Sequence, residues 1–195
     1  GSTVTSWSSD SKFHTSFVVD ETLYMREKGK GLLRMEGDSL SLVPEGEIFR
    51  GTPIYMMAPH PSGDLLVGTQ NKGLLRYDGE TFRSFAPGVT AYLQKNDFYY
   101  GRSLPRDRYA LATLDGGVAF VDSRGRVDRV LNRESGLPDN MVNHLYVDRE
   151  AQLWMALNNE GIFRADLNSS LTVHDGRTGL SSTVKAIEQH EDTTY

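Results

Sequence analysis

The sequence contains no cysteine, which excludes disulfide bonds, thiolate zinc sites and cysteine nucleophiles together. It also has no apolar run approaching the roughly 20 residues that a helix needs to span a bilayer. The net charge is -5 at pH 7 and the basic residues are scattered, so the basic stripe typical of nucleic-acid-binding proteins is missing. With 24% charged and 38% hydrophobic residues, the composition is that of a globular chain rather than a disordered one.

Helical patterns are nearly absent, because no stretch keeps apolar residues at i, i+3, i+4 and i+7 over three turns. Alternating patterns are frequent instead, as in "GDLLVGTQNKGLLRYDGETF" (residues 63–82). Apolar and small residues alternate there with the period of a strand, and Asn71-Lys72-Gly73 and Asp78-Gly79 mark tight turns. Three short strands bury too little surface to be stable alone. We therefore expect the rest of the sheet close by in the sequence.

The same pattern occurs four times along the chain. A glycine followed by an apolar residue stands eight residues after the start of the second strand in each copy, at Gly31, Gly73, Gly117 and Gly161. These glycines are expected to end equivalent hairpins, where a positive φ is needed. Another apolar strand precedes each hairpin and a fourth follows it, so each unit has four strands in about 42–44 residues. That length is typical of a β-propeller blade.

The sequence thus predicts an all-β fold, namely part of a β-propeller with four-stranded antiparallel blades. The predicted blades cover approximately residues 12–49, 50–90, 91–134 and 135–178, and a fifth begins at 179–195. A β-sandwich is the alternative, since it also uses short strands, but a sandwich does not repeat itself.

Two positions in the repeat carry further expectations. Gly68, Ala112 and Ala156 are small and should allow neighbouring blades to approach closely, whereas Arg26 takes this position in the first unit. Trp154 is expected to be buried between blades.

The segment 90–108 is the least regular part of the repeat. Its aromatic residues, Tyr92, Phe98, Tyr99 and Tyr100, belong either to a core strand or to a loop that contacts a ligand.

The fourth unit, "SGLPDNMVNHLYVDREAQLWMALNNEGIFRAD" (residues 135–166), resembles the two-component regulator propeller repeat. The matching parts are the Ser-Gly-Leu-Pro turn at 135–138, the strand from Val142 to Asp148, the Leu153-Trp154 pair and the Gly-Ile-Phe-Arg strand at 161–164. The chain departs from the family at Ala151, where a glycine is usual, and at 156–157, where Gly-Thr is usual. Residues 178–195 resemble the start of a further repeat.

The resemblance implies a ligand-sensing module of a bacterial histidine kinase, hybrid two-component protein or related signalling protein. Such modules are periplasmic or otherwise extracytoplasmic parts of membrane-bound sensors. The kinase part, and any contact with the membrane, would then lie in segments outside this chain.

Catalytic and metal-binding patterns are weak. None of the five histidines forms a close pair of the kind that binds zinc. Aspartates recur at the turns of successive units, which indicates capping of backbone N–H groups rather than acid–base catalysis. We therefore expect no catalytic residue, no metal and no cofactor. A propeller lyase or glycosidase is the enzymatic alternative.

Candidate ligand-binding residues follow from the arrangement of a propeller. The turns joining second and third strands share one rim with the loops that enter the first strands. This rim is expected to bind a small molecule or an oligosaccharide through Arg26, Lys28, Asn71, Lys72, Asp115, Asn140, Asn158 and Asn159. A protein-interaction scaffold is the alternative function: a flat apolar rim would favour it, and a deep polar channel would favour a sensor.

Four blades and the beginning of a fifth leave two apolar blade faces open unless the ring closes. Exposed apolar faces and sheet edges are sites of association. The sequence thus favours self-association, for instance two copies completing an eight-bladed ring, over a closed four-bladed monomer.

Overall fold

The computed structural model describes residues 6–9, 11–158 and 160–167, together with the backbone of residues 189–190 and 193–194. Within this part of the chain, antiparallel sheets are arranged as four blades of a β-propeller, and there is one α-helix. The predicted all-β propeller fold is confirmed. None of the described helices has the length and apolar character needed to cross a bilayer.

The first three blades are four-stranded, and their strands pair in chain order. Blade one contains β1 (Phe13–Val19), β2 (Thr22–Glu27), β3 (Gly31–Glu36) and β4 (Ser39–Leu42). Blade two contains β5 (Ile54–Pro59), β6 (Leu65–Thr69), β7 (Gly73–Tyr77) and β8 (Phe82–Phe85). Blade three contains β9 (Phe98–Leu104), β10 (Arg108–Thr113), β11 (Val118–Val121) and β12 (Val127–Leu131).

The fourth blade contains β13 (Val142–Val147), β14 (Gln152–Leu157) and β15 (Gly161–Asp166). The strand expected after it, near Leu171 and Val173, lies outside the described residues. Two short strands, β16 (Gln189–His190) and β17 (Thr193–Thr194), pair with each other in an antiparallel hairpin. Short 3-10 helices at Gly46–Phe49 and Arg133–Ser135 precede β5 and β13, respectively.

The four repeat glycines occupy equivalent hairpins, as predicted. All have positive φ, with values of +127° at Gly31, +70° at Gly73, +81° at Gly117 and +86° at Gly161. At Gly117 the surroundings add a second requirement, because a Cβ there would overlap the carbonyl oxygen of Leu131. The 42–44-residue spacing is thus the distance between turns that need a left-handed residue.

The hydrophobic core lies between the blades. The first strands are neighbours, since β1 contacts β5, β5 contacts β9, and β9 contacts β13. Successive side chains of a strand point to opposite faces of its sheet. In β6, Leu66 packs in the cluster shared with blade three, and Val67 in the cluster shared with blade one. A third cluster joins blades three and four. Each blade is therefore stabilised by its neighbours.

Small residues allow close approach where they were predicted to do so. A Cβ at Gly68 would lie 2.8 Å from Cε1 of Phe98 in the next blade, and Ala112 is fully buried. Arg26, at the same position of blade one, is only 3% exposed. Its Nε donates to the carbonyl oxygen of Phe49 at 3.1 Å and its Nη2 to that of Arg50 at 2.8 Å. The arginine thus connects β2 to the segment that leads into blade two.

A helix that the sequence did not indicate, α1 (Pro87–Lys95), connects blades two and three. Pro87 stands at its start, where the missing N–H costs nothing and the fixed φ suits the helix. Val89 and Leu93 are its buried residues and pack between the two blades. Two buried positions in nine residues are too few to produce a recognisable helical period, so the hydrophobic pattern of the sequence did not predict this helix. The blade boundary predicted after residue 90 falls inside this helix.

The recurring aspartates cap turns, as expected. Asp122 Oδ1 accepts from the backbone N–H of Arg124 and Arg126 at 2.9 and 2.8 Å, and Asp148 Oδ1 accepts from Glu150 and Gln152 at 3.0 and 2.9 Å. The backbone hydrogen bond from Arg126 is the largest influence that holds the pKa of Asp122 below its usual value. His60 takes the corresponding turn position in blade two, where its Nδ1 accepts from the Ser62 backbone N–H at 3.2 Å.

Candidate functional site

One rim of the propeller is assembled from the turns and loops that the repeat predicted. The backbone N–H of Gly29 donates to the carbonyl oxygen of Arg50 at 3.0 Å, and that of Gly117 to Asn140 at 3.0 Å. Helix α1 joins the same rim, since Gln94 Nε2 donates to the carbonyl oxygen of Asn71 at 3.0 Å. In each case a hairpin between second and third strands contacts the loop that leads into a first strand.

The candidate rim residues differ in accessibility. Five of them are exposed: Lys28, Asn71, Lys72, Asp115 and Asn158. Asn140 is half-buried, and its Oδ1 accepts from the backbone N–H of Arg133 at 2.8 Å. Arg26 is buried, and its guanidinium donates to the carbonyl oxygens of Phe49 and Arg50. Asn159 lies outside the described residues. A role in ligand binding stays a prediction for all eight.

A groove of about 540 Å³ runs along the first strands of blades one to three. We call it the axial groove; its polar and aromatic lining comprises Thr15, Ser16, Phe17, Asp20, Tyr55, Tyr100, Arg102 and Ser103. A volume of roughly 300–1,000 Å³ is typical of small-molecule sites. The residues come from β1 and the turn after it, from β5 and from β9, so the groove exists only because three repeats place their first strands side by side.

Aromatic rings continue across the inner strands from blade to blade. The Tyr55 ring centroid lies 6.2 Å from that of His14 in β1 and 5.4 Å from that of Tyr99 in β9. The Tyr100 ring centroid lies 4.3 Å from that of His144 in β13. Burial raises the pKa of Tyr55, and burial together with the nearby Arg26 and Lys12 lowers the pKa of His14. These environments favour the neutral phenol and the neutral imidazole.

Several polar side chains of the axial groove are available to a ligand. Ser16, Arg102 and Ser103 are exposed, and none of them makes a side-chain hydrogen bond or ion pair within the described part of the chain. These residues were not predicted from the sequence, because the repeat pattern points to the turns rather than to the first strands. A signal was nevertheless present, since the polar pairs Thr15-Ser16 and Arg102-Ser103 interrupt the apolar pattern of β1 and β9.

The segment with unusual aromatics contains a core strand, as one of the two alternatives held, and a contact with a ligand stays a prediction. Phe98 to Tyr100 belong to strand β9, as one alternative held, and Phe98 is buried in the core. Tyr100 nevertheless lines the axial groove. Tyr92 lies in α1, and its hydroxyl donates to the carbonyl oxygen of Gly116 at 2.8 Å.

The expectation that Trp154 is buried between blades is wrong for the described structure. Trp154 is half-buried and faces the outer side of blade four, where no described blade packs. Its indole Nε1 donates to Asp148 Oδ2 at 2.7 Å, and the Arg164 guanidinium carbon lies 5.6 Å from the ring centroid. The repeat position was correct, but burial at that position requires a following blade.

The described residues contain no group of three or more His, Asp or Glu side chains placed to hold a metal ion. His60 illustrates the local role of a titratable side chain here. Its Nε2 lies 2.9 Å from the carbonyl oxygen of Ser123, to which it donates, and its Nδ1 lies 2.7 Å from Ser62 Oγ. The contact with Ser123 connects the turns of blades two and three, and the contact with Ser62 stays within one turn.

No protein-family model and no curated protein sequence matches the chain, but solved structures do. The extracellular domain of the hybrid two-component system BT3049 from B. thetaiotaomicron has a TM-score of 0.64 and 17% identity, covering 92% of this chain and 25% of that one. The extracellular domain of BT4673 from the same organism has a TM-score of 0.59 and 18% identity, with 80% and 24% covered. The chain is therefore similar to these two domains in its fold.

A third solved structure belongs to a different system. PorZ, an essential surface component of the type-IX secretion system of Porphyromonas gingivalis, has a TM-score of 0.54 and 18% identity, covering 95% of this chain and 28% of PorZ. The chain thus spans about a quarter of the length of each of these proteins. Two of the three are extracellular domains of hybrid two-component systems.

Proposed function

We propose that this chain is part of an extracytoplasmic β-propeller that binds a small molecule or an oligosaccharide for a membrane-bound bacterial signalling protein of the two-component type, without catalysing a reaction itself. The repeat motif at residues 135–166 and the fold shared with extracellular sensor domains support the signalling context. The axial groove is the observation that carries ligand binding.

The chemistry of the groove suits a ligand with hydroxyl groups and flat ring faces. Ser16 and Ser103 offer hydroxyls, and Arg102 offers N–H donors, none of which has a partner in the described protein. The rings of Tyr55 and Tyr100 offer apolar faces next to these groups. A small number of placed polar groups beside aromatic surface is the usual composition of a small-molecule site.

The scaffold alternative has less support. Its expected feature is a flat apolar rim, whereas the exposed candidate residues of this rim are charged or amide side chains, such as Lys28, Asn71, Lys72 and Asp115. A polar rim that leads to a groove favours binding of a soluble ligand.

The proposal is tested by thermal-shift screening of a panel of mono- and oligosaccharides, followed by calorimetric titration of any compound that raises the unfolding midpoint. Ser16→Ala and Arg102→Ala should weaken binding while leaving the midpoint of the free protein unchanged, because both side chains are exposed. Arg149→Ala is the matched control, since Arg149 is exposed in the β13–β14 turn, away from the groove. A ligand whose affinity survives both groove substitutions, or a panel without any binder, would contradict the proposal.

A further inference from the structure

Two side chains of opposite charge line the axial groove. Among the described residues of its lining, Asp20 and Arg102 are the two that carry a formal charge. Asp20 follows β1 of blade one, Arg102 belongs to β9 of blade three, and β5 of blade two lies between these strands. Both side chains are exposed. The groove thus presents a carboxylate on one side of β5 and a guanidinium on the other.

Neither of these two charges has a partner in the described part of the chain. Neither side chain makes a hydrogen bond or an ion pair there, with the other or with any neighbour. Charges in the nearby turns are paired instead, as Arg76 is with Asp64 and Arg126 is with Asp122. A ligand that displaces water from an unpaired charge must offer an opposite charge or hydrogen bonds in return, because desolvating an unpaired charge is costly.

The guanidinium in the groove departs from the repeat. Arg102 pairs with Ala110 of the second strand of its blade. In the other three blades the pairings of the first two strands place an uncharged residue at the same position: Phe17, Ala58 and Tyr146. The packing of a blade therefore does not require an arginine here, and blade three alone directs a cation toward the groove.

The carboxylate in the groove departs from the repeat as well. The residue directly after the first strand is His60 in blade two and Asp148 in blade four, and both side chains accept hydrogen bonds from backbone N–H groups of their turns. In blade one the turn has only two residues, Asp20 and Glu21, which have positive φ of +47° and +61°. The Asp20 carboxylate caps no N–H group of this short turn, so it stays available to a ligand.

We infer that the axial groove binds a small zwitterion, whose carboxylate contacts Arg102 and whose ammonium group contacts Asp20. The guanidinium presents a planar fork of N–H donors that matches a carboxylate. Tyr55 and Tyr100 also line the groove and offer apolar surface to the rest of the ligand. A short peptide and an amino sugar that carries a carboxylate share this chemistry. The inference rests on the proposed ligand site and names the class of ligand that the site takes.

The first part of the test compares ligands that differ only in charge. Calorimetric titration of the 195-residue protein uses tyrosine, glycyl-tyrosine and glycyl-tyrosyl-glycine, which separate the two charges by increasing lengths, and muramic acid as the amino-sugar arm. N-acetylation or C-terminal amidation of the best peptide should weaken binding about tenfold. This is the lower end of what a hydrogen bond to a charged group contributes, because both protein side chains are exposed. The tighter arm identifies the source of the zwitterion.

The second part removes the charges of the protein one at a time. Asp20→Asn and Arg102→Gln should each weaken binding of the zwitterion about tenfold. Asp20→Asn should not change the affinity for the N-acetylated peptide, nor Arg102→Gln that for the amidated one, since the matching charge is already missing. Glu21→Gln and Arg106→Gln are the matched controls, because both side chains are exposed in the adjoining turns outside the groove lining. Neither control should change the affinity.

The outcomes separate this inference from the proposed function. A neutral sugar that binds and is weakened by Ser16→Ala, while no zwitterion binds, would overturn the inference and leave the proposed function intact. Equal affinity of the zwitterion for the unmodified protein and for Asp20→Asn would also overturn it, since the ligand would then need only its anionic group. Failure of every zwitterion and every neutral sugar to bind would contradict the proposed function as well.

Discussion

At the scale of single residues, the repeat glycines show how one sequence position can carry two different physical demands. Gly117 and Gly161 hold the same hairpin position with φ of +81° and +86°. A Cβ at Gly117 would overlap the Leu131 carbonyl oxygen, whereas nothing lies within 4 Å of a Cβ at Gly161. The two glycines therefore separate backbone conformation from close packing.

Gly161→Ala should cost only the left-handed conformation, about 1–2 kcal/mol of unfolding free energy. Gly117→Ala should cost about 1–3 kcal/mol more, because the chain must also shift to relieve the overlap with a backbone atom. Urea unfolding of both variants measures the difference. Equal losses would show that the approach of Leu131 to Gly117 is not as close as described.

The sequence predicted the small and flexible positions well, because glycine has few reasons to recur at a fixed spacing. It could not predict what Arg26 does. The guanidinium binds the carbonyl oxygens of Phe49 and Arg50, and those carbonyls are positioned by the connection between blades one and two, which has no repeat pattern. A departure from the repeat is visible in the sequence, but its compensation appears only in three dimensions.

At the scale of elements, the β13–β14 turn combines a cap with a side-chain contact. The indole N–H of Trp154 is the largest influence that lowers the pKa of Asp148, followed by the backbone N–H of Gln152. The folded state thus binds a proton at Asp148 only at lower pH than the unfolded chain does. The contribution of the Asp148 carboxylate to the free energy of unfolding is therefore fully present above the pKa of this carboxyl in the unfolded chain. It is lost as the pH falls through the lower pKa of the folded state.

Trp154→Phe removes the indole donor and should raise the pKa of Asp148 toward its usual value. The stability difference from the unmodified protein should then shrink on acidification below about pH 4, where the unfolded carboxyl becomes protonated. Unfolding free energies measured across pH 3–7 test this. Trp7→Phe is the control, since the Trp7 indole donates to a backbone carbonyl, that of Asp38, and its effect should not vary with pH.

Helix α1 is the element that the sequence concealed, and its stability contribution can be measured directly. Leu93 is fully buried between blades two and three, so Leu93→Ala should cost about 2–5 kcal/mol. Lys95→Ala, on the exposed side of the same helix, should change the unfolding free energy by less than about 0.5 kcal/mol. A Leu93→Ala variant as stable as the control would mean that α1 does not anchor the connection between these blades.

At the scale of the whole molecule, blade one also has an outward face, and Val18, which lies on it where it borders the axial groove, is 73% exposed. Self-association stays a prediction, and this face is the surface through which we expect it. Sedimentation velocity at micromolar concentration should show species larger than the 21.8 kDa monomer. Val18→Asp should shift the distribution toward the monomer, whereas Val127→Asp should not. A monodisperse 21.8 kDa particle at every concentration would contradict association.

The fold was largely predictable from the sequence, whereas the candidate site was predictable only in part. Turns repeat at a fixed spacing, so the rim with Lys28, Asn71 and Asp115 followed from the glycine positions. The axial groove depends on which side chains of β1, β5 and β9 meet at the centre. Ser16 and Arg102 are 86 residues apart in the sequence. A repeat pattern does not indicate which side chains of distant strands lie close together.

The central claim is that this propeller binds a ligand along its axis, and nuclear magnetic resonance titration of the labelled protein tests it most directly. With a compound found by the thermal screen, we predict chemical-shift changes centred on Ser16, Tyr55, Arg102 and Ser103, with smaller changes at Lys28 and Asn71 on the rim. Changes confined to the outer strands β4, β8 and β12, with the axial groove unaffected, would contradict the account.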